Sequence, residues 1–128
     1  MMKWALVVLM FMAVPARADD APNCKDPQDQ NTMTQCAGLD FENADKALNE
    51  IWPKLKSDAQ ASDEGTGNTE YADALLASQR AWIAFRGAEC TWQAMEMHGG
   101  SGEPMLLNGC EARLTNQRIK QLQTGASE

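Results

Sequence analysis

Four cysteines constrain the fold of this 128-residue chain more than any other feature of its sequence. They are Cys24, Cys36, Cys90 and Cys110, and all of them follow an N-terminal segment typical of export. An even number of cysteines in a small exported chain predicts disulfides formed in an oxidising compartment. A metal site is the competing interpretation, but the chain has no C-x2-C pair and a single histidine, His98. We therefore predict two disulfides, no metal and no other cofactor.

Residues 1–18 have the three parts of a secretory signal peptide. Lys3 supplies the positive charge, an apolar run of ten residues follows it, and Ala16 and Ala18 are the small residues before a cleavage site. That run is too short to span a bilayer, which requires about twenty residues. No cysteine sits at its end to carry a lipid, since Cys24 lies further on in a polar stretch. We predict cleavage near Ala18, a single mature domain over residues 19–128, no membrane anchor, and a periplasmic or secreted location.

The charge of the chain limits its classes of partner. The chain has 11 Lys+Arg and 18 Asp+Glu, a net charge of −7. Cleavage would remove Lys3 and Arg17, which leaves nine basic residues against eighteen acidic ones and a net charge of −9. Nucleic acid and anionic lipid both require a positive surface, so neither is an expected partner. Two explanations of the negative charge remain: the protein binds a cationic partner, or the charge serves only to keep it soluble.

Apolar residues recur at spacings of three and four over three segments, whereas the alternation typical of strands is absent. The first helix is predicted to start at Asp26-Pro27, with an aspartate cap and proline at the first helical position. Pro53 is expected to kink or end it. The second helix is predicted over Glu70–Met97, and the third begins near Pro104. The pattern predicts an all-α fold, a small up-down-up bundle of three main helices stapled by two disulfides.

The second helix carries apolar residues on two sides. Ile83 and Cys90 belong to one stripe, and Trp82, Phe85 and Trp92 belong to the other. A helix that is apolar on two sides is expected to pack against neighbours on both. We therefore predict that this is the central helix of the bundle.

Helix geometry favours certain disulfide pairings. A helix starting at Pro27 would place Cys36 about 14 Å along its axis, whereas bonded cysteines have Cα atoms within about 7 Å. Cys24 therefore should not reach Cys36 unless the first turns are non-helical. An antiparallel turn near residue 63 would place Cys36 opposite Cys90. We favour Cys36–Cys90 with Cys24–Cys110, and next Cys24–Cys90 with Cys36–Cys110.

No catalytic constellation is visible in the sequence. The single histidine, His98, lies among glycines, and no G-x-S-x-G motif is present. The glycine-rich stretch follows a helix and lacks the lysine of a phosphate-binding loop. Chance pairs of carboxylates are inevitable among eighteen acidic residues, so a pair alone does not indicate a glycosidase. We predict that the protein is not an enzyme and has no catalytic residues.

Two groups of residues are candidates for specific roles. Asp45, Arg86 and Arg118 lie beside apolar stripes on three different helices, and Arg86 follows Trp82 by one turn, which allows stacking on the indole. We interpret these three as a polar clasp between helices rather than a ligand site. The other group is either a helix–helix turn or an exposed loop that enters a partner's cleft, because glycines allow close approach of the backbone. This candidate partner-binding loop consists of His98, Gly99, Gly100, Ser101, Gly102 and Glu103, and the turn at residues 63–67 is a second candidate.

Four segments together resemble the LprI-like lysozyme-inhibitor domain family. Residues 44–49 have the form A-D-x-x-L-N, and residues 79–90 have the form Q-x-x-W-x-x-[YF]-R-x-x-x-C. Residues 99–101 are G-G-S, and residues 110–118 have the form C-x-x-x-L-T-x-x-R. The resemblance covers nearly all of the predicted mature chain.

The resemblance implies a secreted or periplasmic, cysteine-bridged helical domain that inhibits lysozyme by protein–protein contact. Animal-type lysozymes are strongly basic, so an acidic partner would be attracted to them. The resemblance assigns no inhibitory residues. The alternative is a structural or interaction module of the cell envelope with no enzyme target, and the sequence does not indicate the oligomeric state.

Overall fold

The computed structural model describes residues 21–125, which form three helices in an up-down-up arrangement. The first, α1, spans Gln30–Glu64; α2 spans Glu70–Ala94 and is extended by a 3₁₀ turn at Met95–Met97; α3 spans Glu103–Gly125. The interface between α1 and α3 is the most extensive, and α2 packs less extensively against both. The described residues contain no strand. The predicted all-α bundle of three helices with two disulfides is confirmed.

The predicted start of the first helix is wrong by one short turn. The helix begins at Gln30, and its cap is Asp29 rather than Asp26. The backbone N–H of Thr32 donates to Asp29 Oδ1 at 2.9 Å, and the Thr32 hydroxyl donates to Oδ2 at 2.7 Å. Because both donors of Thr32 pair with Asp29, the helix is capped at Asp29 and not at Asp26. Residues 24–28 therefore lie outside the helix.

The predicted disulfide pairing, Cys36–Cys90 with Cys24–Cys110, is also wrong. The structure pairs Cys24 with Cys36 and Cys90 with Cys110, with Cα–Cα distances of 5.5 and 5.4 Å. The non-helical segment before Gln30 brings Cys24 beside the second turn of α1, which a helix starting at Pro27 would have prevented. One bridge is thus local to the start of α1, and the other joins α2 to α3.

Pro53 does not end α1, since the helix continues through it to Glu64. The predicted extent of the second helix is confirmed, because α2 and its 3₁₀ extension cover residues 70–97.

The predicted central position of α2 in the bundle is wrong. Phe85 and Trp92, which were assigned to a second packed stripe, are 53% and 72% exposed. Only one side of α2 is covered by the other two helices.

The core is thin and built mainly of small side chains. Its centre is the Cys90–Cys110 disulfide with Leu114, against which Trp82 and Leu107 pack. A domain of this size buries a limited apolar area, so each disulfide, worth about 3 kcal/mol for loops of this length, is a large part of its stability. The buried apolar residues are Cys36, Ala44, Leu48, Cys90, Ala94, Cys110, Ala112 and Leu114. No helix within residues 21–125 is both long enough and apolar enough to span a membrane.

The turn between α1 and α2 is held by Asp63, which is 6% exposed. Its Oδ1 accepts from the N–H of Tyr71 at 2.8 Å, and its Oδ2 accepts from the N–H of Ala72 at 3.0 Å. Thr69, at the cap position of α2, makes no side-chain capping bond. Asp63 therefore caps α2 from the preceding helix, where its charge also complements the helix dipole.

We expect Asp63→Ala to lower the free energy of unfolding by about 2 kcal/mol, because it leaves two backbone N–H groups unpaired. Urea unfolding of the oxidised protein, followed by circular dichroism, measures this change. The matched control is Asp58→Ala on the same helix, which removes only an exposed pair with Lys54 and should cost under about 0.5 kcal/mol. Equal effects of the two substitutions would contradict the capping role.

Candidate functional site

Arg86 is the centre of a polar cluster that joins the three helices. Its side chain is 13% exposed. Its Nη1 donates to Asp45 Oδ1 of α1 at 3.3 Å and to Thr115 Oγ1 of α3 at 3.0 Å. Thr115 is fully buried, and an unpaired hydroxyl there would be costly. The structure thus brings together Asp45 and Arg86, as the sequence analysis proposed, and adds Thr115.

Aromatic rings cover the guanidinium of Arg86. Its Cζ lies 5.1 Å from the ring centroid of Phe41 and 5.0 Å from that of Trp82. Arg118 Cζ lies 5.7 Å from the same Trp82 ring. These distances are within the range of attractive cation–π contacts. The predicted stacking of Arg86 on Trp82 is confirmed, and Trp82 contacts a second cation that was not anticipated.

Arg118 joins this cluster through α2 rather than through Asp45. Its Nε donates to Gln79 Oε1 at 3.0 Å, and its Nη2 donates to Ser78 Oγ at 2.8 Å. Burial lowers the pKa of Arg118, but an arginine remains charged at any relevant pH. The role of Gln79 was not predicted, although Gln79 precedes Trp82 by three residues and therefore lies on the same side of α2.

The hydrogen bonds of this cluster run between helices. We infer that Asp45, Arg86 and Arg118 brace the bundle and do not form a ligand site. Among residues 21–125, no group of three or more His, Cys, Asp or Glu side chains is arranged to hold a metal ion. The cluster therefore fixes how the three helices pack on one another, through Arg86 with α1 and α3 and through Arg118 with α2.

The loop between α2 and α3 is closed by the carboxylate of Glu103. Its Oε2 accepts from the N–H of Gly99 at 2.7 Å, and its Oε1 lies 3.3 Å from His98 Nδ1. Gly99 has a φ of 75°, a conformation that favours glycine. Gly102 is buried against Met97, so closely that a Cβ at Gly102 would collide with the Met97 sulfur. The loop is thus held in one conformation by its own contacts.

The two predicted partner-binding candidates differ in what they expose. Residues 98–101 are exposed and form the tip of the loop. In the other candidate, the turn at residues 63–67, the carboxylate of Asp63 is buried and already pairs with α2. The loop therefore offers an accessible backbone to a partner. In the turn, Asp63 caps α2 and its carboxylate is not accessible to a partner.

We expect Arg86→Lys to destabilise the protein by about 2 kcal/mol or more, because lysine cannot stack on Trp82 as a planar group and the buried hydroxyl of Thr115 loses a hydrogen bond. Thermal or urea unfolding measures the change. Arg80→Lys is the matched control, since Arg80 is exposed on the same helix and its replacement should be nearly neutral. Equal stability of the two variants would show that Arg86 does not brace the bundle.

The closure of the loop should depend on pH. Donation from the Gly99 N–H, and secondly from His98, holds the pKa of Glu103 below its usual range. The ionised Glu103 carboxylate therefore stabilises the closed loop fully above the ordinary glutamate pKa of about 4.3. This stabilisation is lost as the pH falls through the lower pKa of Glu103 in the folded protein. The amide resonance of Gly99 should titrate over this window in the wild type and not in Glu103→Gln. Glu96→Gln is the control, and an unchanged Gly99 titration in Glu103→Gln would contradict this closure.

Comparisons with known proteins place these features in a family. The family model described as "Lysozyme inhibitor LprI" matches residues 23–122, which include both disulfides, the Arg86 cluster and the loop. An uncharacterized protein of Rhizobium meliloti (strain 1021) is 36% identical over 124 residues, which cover 92% of this chain and 89% of that protein. No solved structure matches the chain significantly. The chain belongs to the lysozyme inhibitor LprI family.

Proposed function

We propose that this protein is exported and inhibits lysozyme by direct protein–protein contact. The observation that carries the proposal is the family match over residues 23–122. That family is one of inhibitors and not of enzymes, which fits a protein that acts by occupying its target rather than by turnover.

An extracytoplasmic location is supported by the two disulfides together with the family, since disulfides persist mainly in oxidising compartments. We further propose that residues 1–18 are removed as a signal peptide and that the mature protein is periplasmic or secreted. The cleavage site near Ala18 lies outside the described residues.

The loop at residues 98–103 is the part that we propose to contact the active-site cleft of the enzyme. Its tip is exposed, and its conformation is held by Glu103 before any partner binds. A loop that is already ordered loses little conformational entropy on binding, which favours affinity. Gly99 and Gly100 at the tip would allow its backbone to enter a narrow cleft.

Charge supplies the long-range attraction in this proposal. The chain has a net charge of −7, and animal-type lysozymes are strongly basic. Complementary charges increase the rate of association, and added salt screens them. Inhibition of a basic lysozyme should therefore weaken as the ionic strength rises.

We expect the purified, oxidised protein to slow the lysis of bacterial cell walls by a basic animal lysozyme, and this inhibition should decrease between about 0.05 and 0.5 M salt. Turbidity of a cell-wall suspension measures the rate. No inhibition at a micromolar excess of the protein would contradict the proposal and would favour an envelope interaction module instead.

Two substitutions of equal charge test the loop within that assay. Ser101→Lys adds bulk at the exposed tip, whereas Ser57→Lys adds the same charge at an exposed position of α1. We expect Ser101→Lys to reduce inhibition at least about tenfold, the usual consequence of disturbing a buried contact, and Ser57→Lys to leave it nearly unchanged. Equal inhibition by both would remove the loop from the contact while leaving the inhibitory function intact.

A further inference from the structure

The outer side of α2 is apolar and uncovered over a long stretch. Its largest exposed side chains are Trp92, which is 72% exposed, and Phe85, which is 53% exposed. They are seven residues apart, so they lie on the same side of the helix and are separated by about 10 Å along its axis. Met95, 47% exposed, continues this side towards the loop.

These residues belong to a regular seam. Ala81, Phe85, Ala88, Trp92 and Met95 follow one another at spacings of four, three, four and three, and all of them are exposed. This spacing keeps residues on one helix face that packs against a neighbour. We name these five residues the outer strip. The opposite side of α2, which includes Gln79 and Cys90, is buried against α1 and α3.

The charges beside the outer strip indicate what kind of partner could cover it. Glu89 and Glu96 are acidic and Arg80 is basic, and each of them is the sequence neighbour of a residue of the outer strip. An uncharged centre with large aromatic side chains and a charged rim is the usual composition of a protein interface. A second copy would bring the mostly acidic rim against another acidic rim. A basic protein would pair with it.

We propose that the outer strip is the apolar anchor of the contact with lysozyme, an inference that rests on the proposed inhibitory function. Trp92 precedes His98 by six residues, a rise of about 10 Å at most, so the end of the outer strip lies close to the loop. The loop would enter the cleft, while Trp92 and Phe85 would pack against the enzyme surface beside it. Aromatic side chains in such positions commonly contribute most of the binding free energy.

The test measures inhibition and binding of the same basic lysozyme with Trp92→Ala and Phe85→Ala in the oxidised protein. Each substitution should raise the dissociation constant about tenfold or more. Leu39→Ala is the matched control, because Leu39 is an exposed apolar residue with 40% exposure that belongs to α1 and not to the outer side of α2, and it should leave the dissociation constant nearly unchanged. Urea unfolding checks that the three variants remain as stable as the wild type, as substitutions of exposed residues should.

The outcomes separate this inference from the proposed function. If the wild type inhibits and the Trp92 and Phe85 variants inhibit as well as Leu39→Ala, the outer strip is not the anchor although the function stands. If light scattering shows a dimer that Trp92→Ala converts to a monomer, a second copy covers the outer strip and the inference is wrong. If the wild type neither binds nor inhibits lysozyme, both proposals fail.

Discussion

The buried guanidinium of Arg86 bonds to α1 and α3 at the same time, and the packing of the bundle is organised around it. Its two hydrogen bonds reach Asp45 and Thr115, and its faces lie against Phe41 and Trp82. A buried charge is tolerated only when it is paired and hydrogen-bonded. The cluster therefore favours this arrangement of the three helices, because a shift of α1 or α3 would remove one of the partners of the charge.

The thin core explains why such an interaction is needed. Its buried apolar residues are mostly alanine and cysteine, with leucine at only two of the buried positions, Leu48 and Leu114. Small side chains contribute little apolar area each. The Cys90–Cys110 bridge lies at the centre of the core and restricts the conformations of the unfolded chain. The Arg86 cluster adds stability by joining the helices. Asp63 adds a third link by capping α2 from α1.

These internal links have a consequence for the surface. Because they hold α2 along one side, its outer side is free for a partner, and the loop that follows it is closed by Glu103. Rigid elements therefore present both proposed parts of the contact. A partner would not need to order either of them, which reduces the entropic cost of association.

Some of the site follows from local spacing. Arg86 one turn after Trp82 was sufficient to predict their stacking, since residues four apart lie on the same helix face. Spacing also places Gln79 on the same side of α2 as Trp82, but the bonds of Gln79 to Arg118 and of Thr115 to Arg86 could not be assigned in this way. They depend on which side of a neighbouring helix faces the cluster, and nothing in the local pattern of α2 or α3 specifies that.

The disulfides show the same division. Cys36 and Cys90 are equidistant from the turn near residue 63, but Cys90 and Cys110 are equally well placed about the turn at Gly100, so helix pairing alone permits both. The start of α1 at Gln30 resolves the choice by bringing Cys24 to Cys36.

Helix content, the presence of disulfides and the acidic charge could thus be predicted from the sequence alone, because they depend on near neighbours and composition. The pairing of cysteines and the exposure of the second apolar side of α2 required the fold, because they depend on contacts between residues far apart in sequence.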